Sequence, residues 1–159
     1  MKLTQHIARL FLASTIIAAP LAGFAASKMD DPMMEPVKSV YDNYIAIQKE
    51  LARDSIKGVD THANAIATAV QHDDMKMLPS DVAKQAQTLA AATDIKQARE
   101  AFKPLSASLV KYLADNKAGK GVYHEAYCPM AKASWLQTEK DVRNPYYGKS
   151  MLDCGTLKN

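Results

Sequence analysis

The sequence predicts an all-α protein, an up-down four-helix bundle closed by a short, mostly irregular C-terminal cap. Three observations carry that expectation. Apolar residues recur at three- and four-residue steps between Val37 and Leu113, the period of a helix face turned to a core. Proline, glycine and aspartate stand at the breaks between the periodic stretches. Beyond Gly121 the helical period stops and turn-forming and aromatic residues take over.

The first helix starts at Val37, just after Pro36, whose missing N–H costs nothing at a helix start. Val40, Tyr41, Tyr44, Ile45 and Leu51 form its stripe, and Gly58 marks its stop. A second helix over Asp60–Val70 turns Val59, Ala63, Ile66, Ala67 and Val70 to one side, and its alanines let a neighbour approach closely. The third begins after Pro79-Ser80 and points Val82, Ala86, Leu89 and Ala90 inward. Asp94 caps the fourth with Gln97 three residues on, the spacing of a capping box. Ile95, Ala98, Phe102, Leu105, Leu109, Tyr112 and Leu113 are its apolar face, Pro104 predicts a kink, and Gly119 and Gly121 end it. Short connections favour antiparallel neighbours, hence the bundle.

The cap begins with Val122-Tyr123-His124-Glu125-Ala126-Tyr127-Cys128, which is β-prone and extended until Pro129. Trp135, the chain's one tryptophan, is expected to anchor the cap on the bundle.

Ahead of the bundle, Lys2 and Arg9 precede an apolar run from Leu10 to Leu21, then Gly23-Phe24-Ala25. That order is a secretory signal peptide over residues 1–25, too short to remain as a bilayer span. A Met- and acid-rich leader follows over 26–35, then one domain over 36–159. Export to the periplasm is the expectation. Removal of Lys2 and Arg9 takes the formal charge from +3 to about +1, and such a surface argues against nucleic acid as a partner. Catalysis finds no Gly-x-Ser-x-Gly elbow, phosphate loop, His-Glu-x-x-His or Cys-x-x-Cys, so a non-enzyme is expected.

Both cysteines lie in the cap, each with a methionine near it: Cys128 with Met130, and Cys154 with Met151. Thiolates and thioethers are soft donors that select Cu(I) or Ag(I) over harder ions. In an extended Cys128-Pro129-Met130, residues two apart share a side, and one helical turn brings Met151 and Cys154 to one face. The bland alternative is a disulfide between Cys128 and Cys154, the usual fate of two cysteines in an exported chain. Such a bridge stabilises by about 3.5 kcal/mol in the chain-entropy estimate. Both readings stay open, and a reducible bridge reconciles them. His124, in the same extended segment as Cys128, is a reserve ligand about 13 Å away. Met29, Met33 and Met34 beside Asp30, Asp31 and Glu35, and the loop His72-Asp73-Asp74-Met75-Lys76-Met77, are weaker candidates. A solvated tail and a solvated turn are their plain alternatives.

Cys128-Pro129-Met130-Ala131, Trp135-Leu136, Asn144-Pro145-Tyr146-Tyr147-Gly148, Met151 and Cys154-Gly155, taken in order, resemble an uncharacterised bacterial domain family. That family also occurs as the C-terminal extension of CusB-type adaptor subunits of copper/silver efflux pumps. Asp94-Ile95 through Arg99, Phe102 and Leu105-Ser106 are similar to its last bundle helix. The resemblance spans nearly all of the mature chain. It implies a helical periplasmic domain, a role in heavy-metal handling, and a heavy-metal efflux system as partner. The adaptor's own hairpin and barrel regions are absent, so the chain is not expected to be a pump adaptor.

Overall fold

The computed structural model describes residues 33–158. The signal-peptide expectation, Met29 and most of the leader lie outside them. Four helices follow one another: α1 Val37–Ala52, α2 Val59–Gln71, α3 Asp81–Ala90 and α4 Ile95–Asn116. Each packs on the next in sequence. The cap adds β1 His124–Cys128, β2 Ala133–Gln137, a 3₁₀ turn Gly148–Ser150 and β3 Thr156–Leu157.

The helices form where the apolar period placed them, with differences at their ends. Gly58 does not stop α1: that helix ends six residues earlier, at Ala52, and Gly58 at φ 74° instead opens α2. Lys117, in left-handed backbone at φ 53°, closes α4 ahead of Gly119 and Gly121. At the start of α4, Asp94 Oδ1 accepts from the Gln97 N–H at 2.8 Å. Gln97 Oε1 reaches back past the cap residue to the Thr93 N–H at 3.3 Å. Pro104 lies inside α4.

The all-α expectation is overturned by the cap. It is not mostly irregular but holds a three-stranded antiparallel sheet in the order β2-β1-β3, making the protein mixed α and β. Ala126 sits opposite Trp135 and Cys128 opposite Ala133 on one side, while Ala126 faces Leu157 and Tyr127 faces Thr156 on the other. β2 packs chiefly on α4 and also reaches α1. The physical reason is the buried side chains of the strands. Ala126, Cys128, Trp135 and Leu136 join the helical core, so these backbone groups leave water and must pair with one another.

Aromatic rings and hydroxyls stitch the cap to the bundle. Tyr44 of α1 stacks on Phe102 of α4 at 5.0 Å, Phe102 meets Tyr146 at 6.0 Å, and Tyr146 meets Trp135 edge-on at 5.8 Å. Beside them the Leu136 N–H donates to Tyr44 Oη at 3.1 Å, and Tyr44 is hydrogen-bonded to Ser106 at 2.5 Å. The Ser106 hydroxyl then donates to the Ser134 carbonyl at 2.9 Å. Burial pushes the Tyr44 phenol far above its ordinary range, so it stays neutral and available to this chain. Tyr44→Phe keeps the ring and strands the buried Leu136 N–H. Urea unfolding is expected to show a loss of about 1–3 kcal/mol. A loss within error would mean that Leu136 finds another acceptor.

Candidate functional site: the paired thiols of the cap

Cys128 is the last residue of β1, held by its pairing with Ala133. Cys154 arrives from the other direction, on the segment that leads into β3. The register explains the meeting: Thr156 lies opposite Tyr127, so the residues just before it run alongside the end of β1. Gly155 permits the close passage. A Cβ there would lie 2.8 Å from the Trp135 ring and 3.0 Å from the Tyr127 carbonyl oxygen.

Asn144 fixes the loop that carries Cys154. It is fully buried, and its Oδ1 accepts from the N–H groups of Tyr146 at 2.8 Å and Tyr147 at 3.3 Å. Its Nδ2 donates to the Cys154 carbonyl at 2.7 Å, and its own N–H to the Leu152 carbonyl at 2.8 Å. Gln137 organises the loop that follows β2 in the same way. Its Oε1 accepts from Trp135 Nε1 at 2.9 Å and the Arg143 N–H at 3.0 Å, and its Nε2 donates to the carbonyls of Glu139 and Asp141. The sequence marks Asn144 only as part of the Asn144-Pro145-Tyr146-Tyr147-Gly148 motif, where the Asn-Pro pair signals a turn, and gives neither amide this buried role. No pattern marks Gln137.

The two thiols lie 3.1 Å apart, sulfur to sulfur, as free cysteines. Cys128 is fully buried and Cys154 half-buried. Burial pushes the Cys128 thiol up. A hydrogen bond from Cys154, the Ala131 N–H, the Asn144 side chain and the Met130 N–H outweigh it and leave the thiol below its ordinary value. Cys154 moves the other way, raised first by its hydrogen bond to Cys128 and then by burial. The pair therefore loses its protons in two steps that belong to both sulfurs.

The thioethers are placed differently. Met130 stands 64 % exposed on the β1–β2 turn, a surface group whose backbone faces the Cys128 sulfur. Met151 is half-buried at the end of the 3₁₀ turn, its carbonyl accepting from the Cys154 N–H at 3.1 Å. Of the four expected sulfurs, the structure joins the two thiols. His124 pairs with Gln137 at the opposite end of β1 from Cys128. In the α2–α3 loop Asp73 is buried and accepts from the Leu78 N–H at 2.7 Å, while Met75 is 74 % exposed. Met33 packs partly on the core and Met34 is exposed. Among the described residues no group of three or more His, Cys, Asp and Glu is arranged to hold an ion. Among the described residues no helix is long and apolar enough to cross a membrane.

The sequence profile of a family described as "Protein of unknown function (DUF3347)" matches residues 40–121, just over half of the chain, from the first turn of α1 to the glycine after α4. The matched stretch stops before β1, so both cysteines lie beyond it. No curated protein and no solved structure matches the chain.

Proposed function

The chain belongs to the DUF3347 family, and we propose that it is a periplasmic protein that holds a soft monovalent metal, Cu(I) or Ag(I), on the sulfurs of Cys128 and Cys154. The observation that carries this reading is the approach of the two thiols to 3.1 Å. A thiolate–metal distance of about 2.3 Å asks the sulfurs to stand roughly 4 Å apart. An opening of that size is within reach of a rotamer change at the half-buried Cys154. Met151, on the same segment, and Met130, on the turn, are thioethers that further rotamer changes can add. Two thiolates leave the site with a net charge near −1 once a monovalent ion is bound. N–H groups beside Cys128 compensate some of that charge.

An accessory role in heavy-metal efflux is part of this proposal; it rests on the resemblance of the cap motifs, which lie beyond the matched residues 40–121, to the extension of CusB-type adaptors. Export is supported by the signal-like N-terminus. Anaerobic Cu(I) titration against a chromogenic chelator is the test. The reduced protein is expected to take up one equivalent, and Cys128→Ser and Cys154→Ser each to weaken binding by at least about 100-fold. Uptake that survives both substitutions refutes the site.

The same sulfur approach also supports a second reading, a disulfide-stapled interaction module of the envelope with no metal role. A thiol count on protein isolated from the periplasm separates the two. Free thiols favour the metal site. Their absence, with a melting point lowered by reductant and indifferent to copper, favours the staple.

A further inference from the structure

We propose that Cys128 and Cys154 form a reversible disulfide that is reduced from one side only, with Cys154 Sγ the atom attacked and Cys128 the leaving sulfur. Oxidation would then close the metal site and reduction open it. The metal consequence rests on the function proposed above; the redox step rests only on where the two sulfurs lie.

Closing the 3.1 Å gap to a bond of about 2.05 Å needs roughly 1 Å of movement. The two sides of the pair differ in access. Cys128 is 0 % exposed, and its backbone is locked in the sheet opposite Ala133. Cys154 is half-buried on a turn, tied through its own N–H and carbonyl rather than by strand pairing. Thiol–disulfide exchange requires in-line approach to one sulfur with the other departing. An external thiolate can reach Cys154 and finds the protein core behind Cys128.

The co-reactant is a dithiol reductant. Its first thiolate bonds to Cys154 Sγ while the Cys128–Cys154 bond breaks and its electron pair goes to Cys128 Sγ. There the N–H groups of Ala131 and Met130 and the Asn144 side chain receive the charge. The second thiolate then attacks the mixed disulfide, Cys154 leaves as a thiolate and takes up a proton, and the reductant departs as its own disulfide. Two electrons pass to the protein.

The test uses metal-free mature protein. In glutathione buffers it is expected to lose two hydrogens as one intramolecular bridge, recovered on addition of a dithiol without denaturant. With an aromatic disulfide reagent, Cys128→Ser, which leaves Cys154 free, should react at least about tenfold faster than Cys154→Ser. Wild-type protein quenched during reduction by glutathione supplies a check free of folding effects: the adduct should map to Cys154. An adduct on Cys128, equal rates in the two variants, failure to form the bridge, or a bridge that resists reduction in the native state overturns the switch. An intact redox cycle in a protein that takes up no Cu(I) supports the switch and refutes only the metal reading.

Discussion

Trp135→Ala is expected to lower the free energy of unfolding by about 3–5 kcal/mol, a large share of what a single domain of this size has. Trp135 is fully buried between the helices and the cap. Its loss removes the edge-on contact with Tyr146 at 5.8 Å and takes away the donor to Gln137 Oε1. Gln137 then keeps only the Arg143 N–H on that oxygen. The wall against which Gly155 lies also disappears, and with it the surface that positions Cys154. Urea unfolding followed by far-ultraviolet circular dichroism reads the change, since the variant has no tryptophan left to fluoresce. A cost below about 1 kcal/mol would mean that the cap docks without this anchor.

Gly148→Ala is the second large effect. Gly148 has φ 56°, and a Cβ there would overlap the Asp54 carboxylate and the Arg99 guanidinium. These two groups tie three regions of the chain together. Arg99 on α4 donates through Nη2 to Asp54 Oδ1 at 2.6 Å and to the Leu51 carbonyl at the end of α1, and through Nε to the Pro145 carbonyl in the cap. Asp54 Oδ2 also accepts from the Lys149 N–H. Strained backbone alone costs about 1–3 kcal/mol, and the displaced partners add to it. The Arg99 hydrogen bond, followed by the Lys149 N–H, holds the Asp54 carboxyl below its usual range. A folded value below the unfolded one contributes stability above the unfolded carboxylate range, lost as pH falls through the folded value. The difference between wild type and variant should therefore be widest near neutral pH and narrow in acid. A difference independent of pH would place the cost in the backbone alone.

The helical body was legible because its side chains carry a period. Val40, Tyr41, Tyr44, Ile45 and Leu51, and again Ala98, Phe102, Leu105, Leu109 and Leu113, are buried as their spacing requires. Of the sheet only β1 was legible, in the β-prone, extended run that ends at Cys128; its two partner strands were not. Only β1 alternates, with Ala126 and Cys128 buried and Tyr127 37 % exposed between them. In β2, Trp135, Leu136 and Gln137 are buried in succession, against α4 and α1, so no alternation shows. β3 is two residues long and leaves no pattern to read. Asn144 and Gln137, fully buried amides at the centre of the cap, run against hydropathy altogether. They are tolerable there because each is hydrogen-bonded through both its oxygen and its nitrogen.

The cysteine pair lies between these cases. That both thiols belong to the cap was plain from their positions, but their contact depends on the β1–β3 register, which pairs Tyr127 with Thr156. The methionines mark the limit of such reading. Met130, expected beside Cys128 in an extended run, instead lies in the turn that follows β1 and is turned to solvent. Sequence spacing alone does not distinguish a donor beside the thiols from one pointing away.

X-ray absorption at the copper edge of the reduced protein, loaded anaerobically with one equivalent of Cu(I), tests the shared thiol site most directly. The expected spectrum shows a cuprous ion with a sulfur-only shell containing at least two sulfurs, and both Cys128→Ser and Cys154→Ser lose that shell. A shell of nitrogen and oxygen, or one unchanged in either variant, would contradict it.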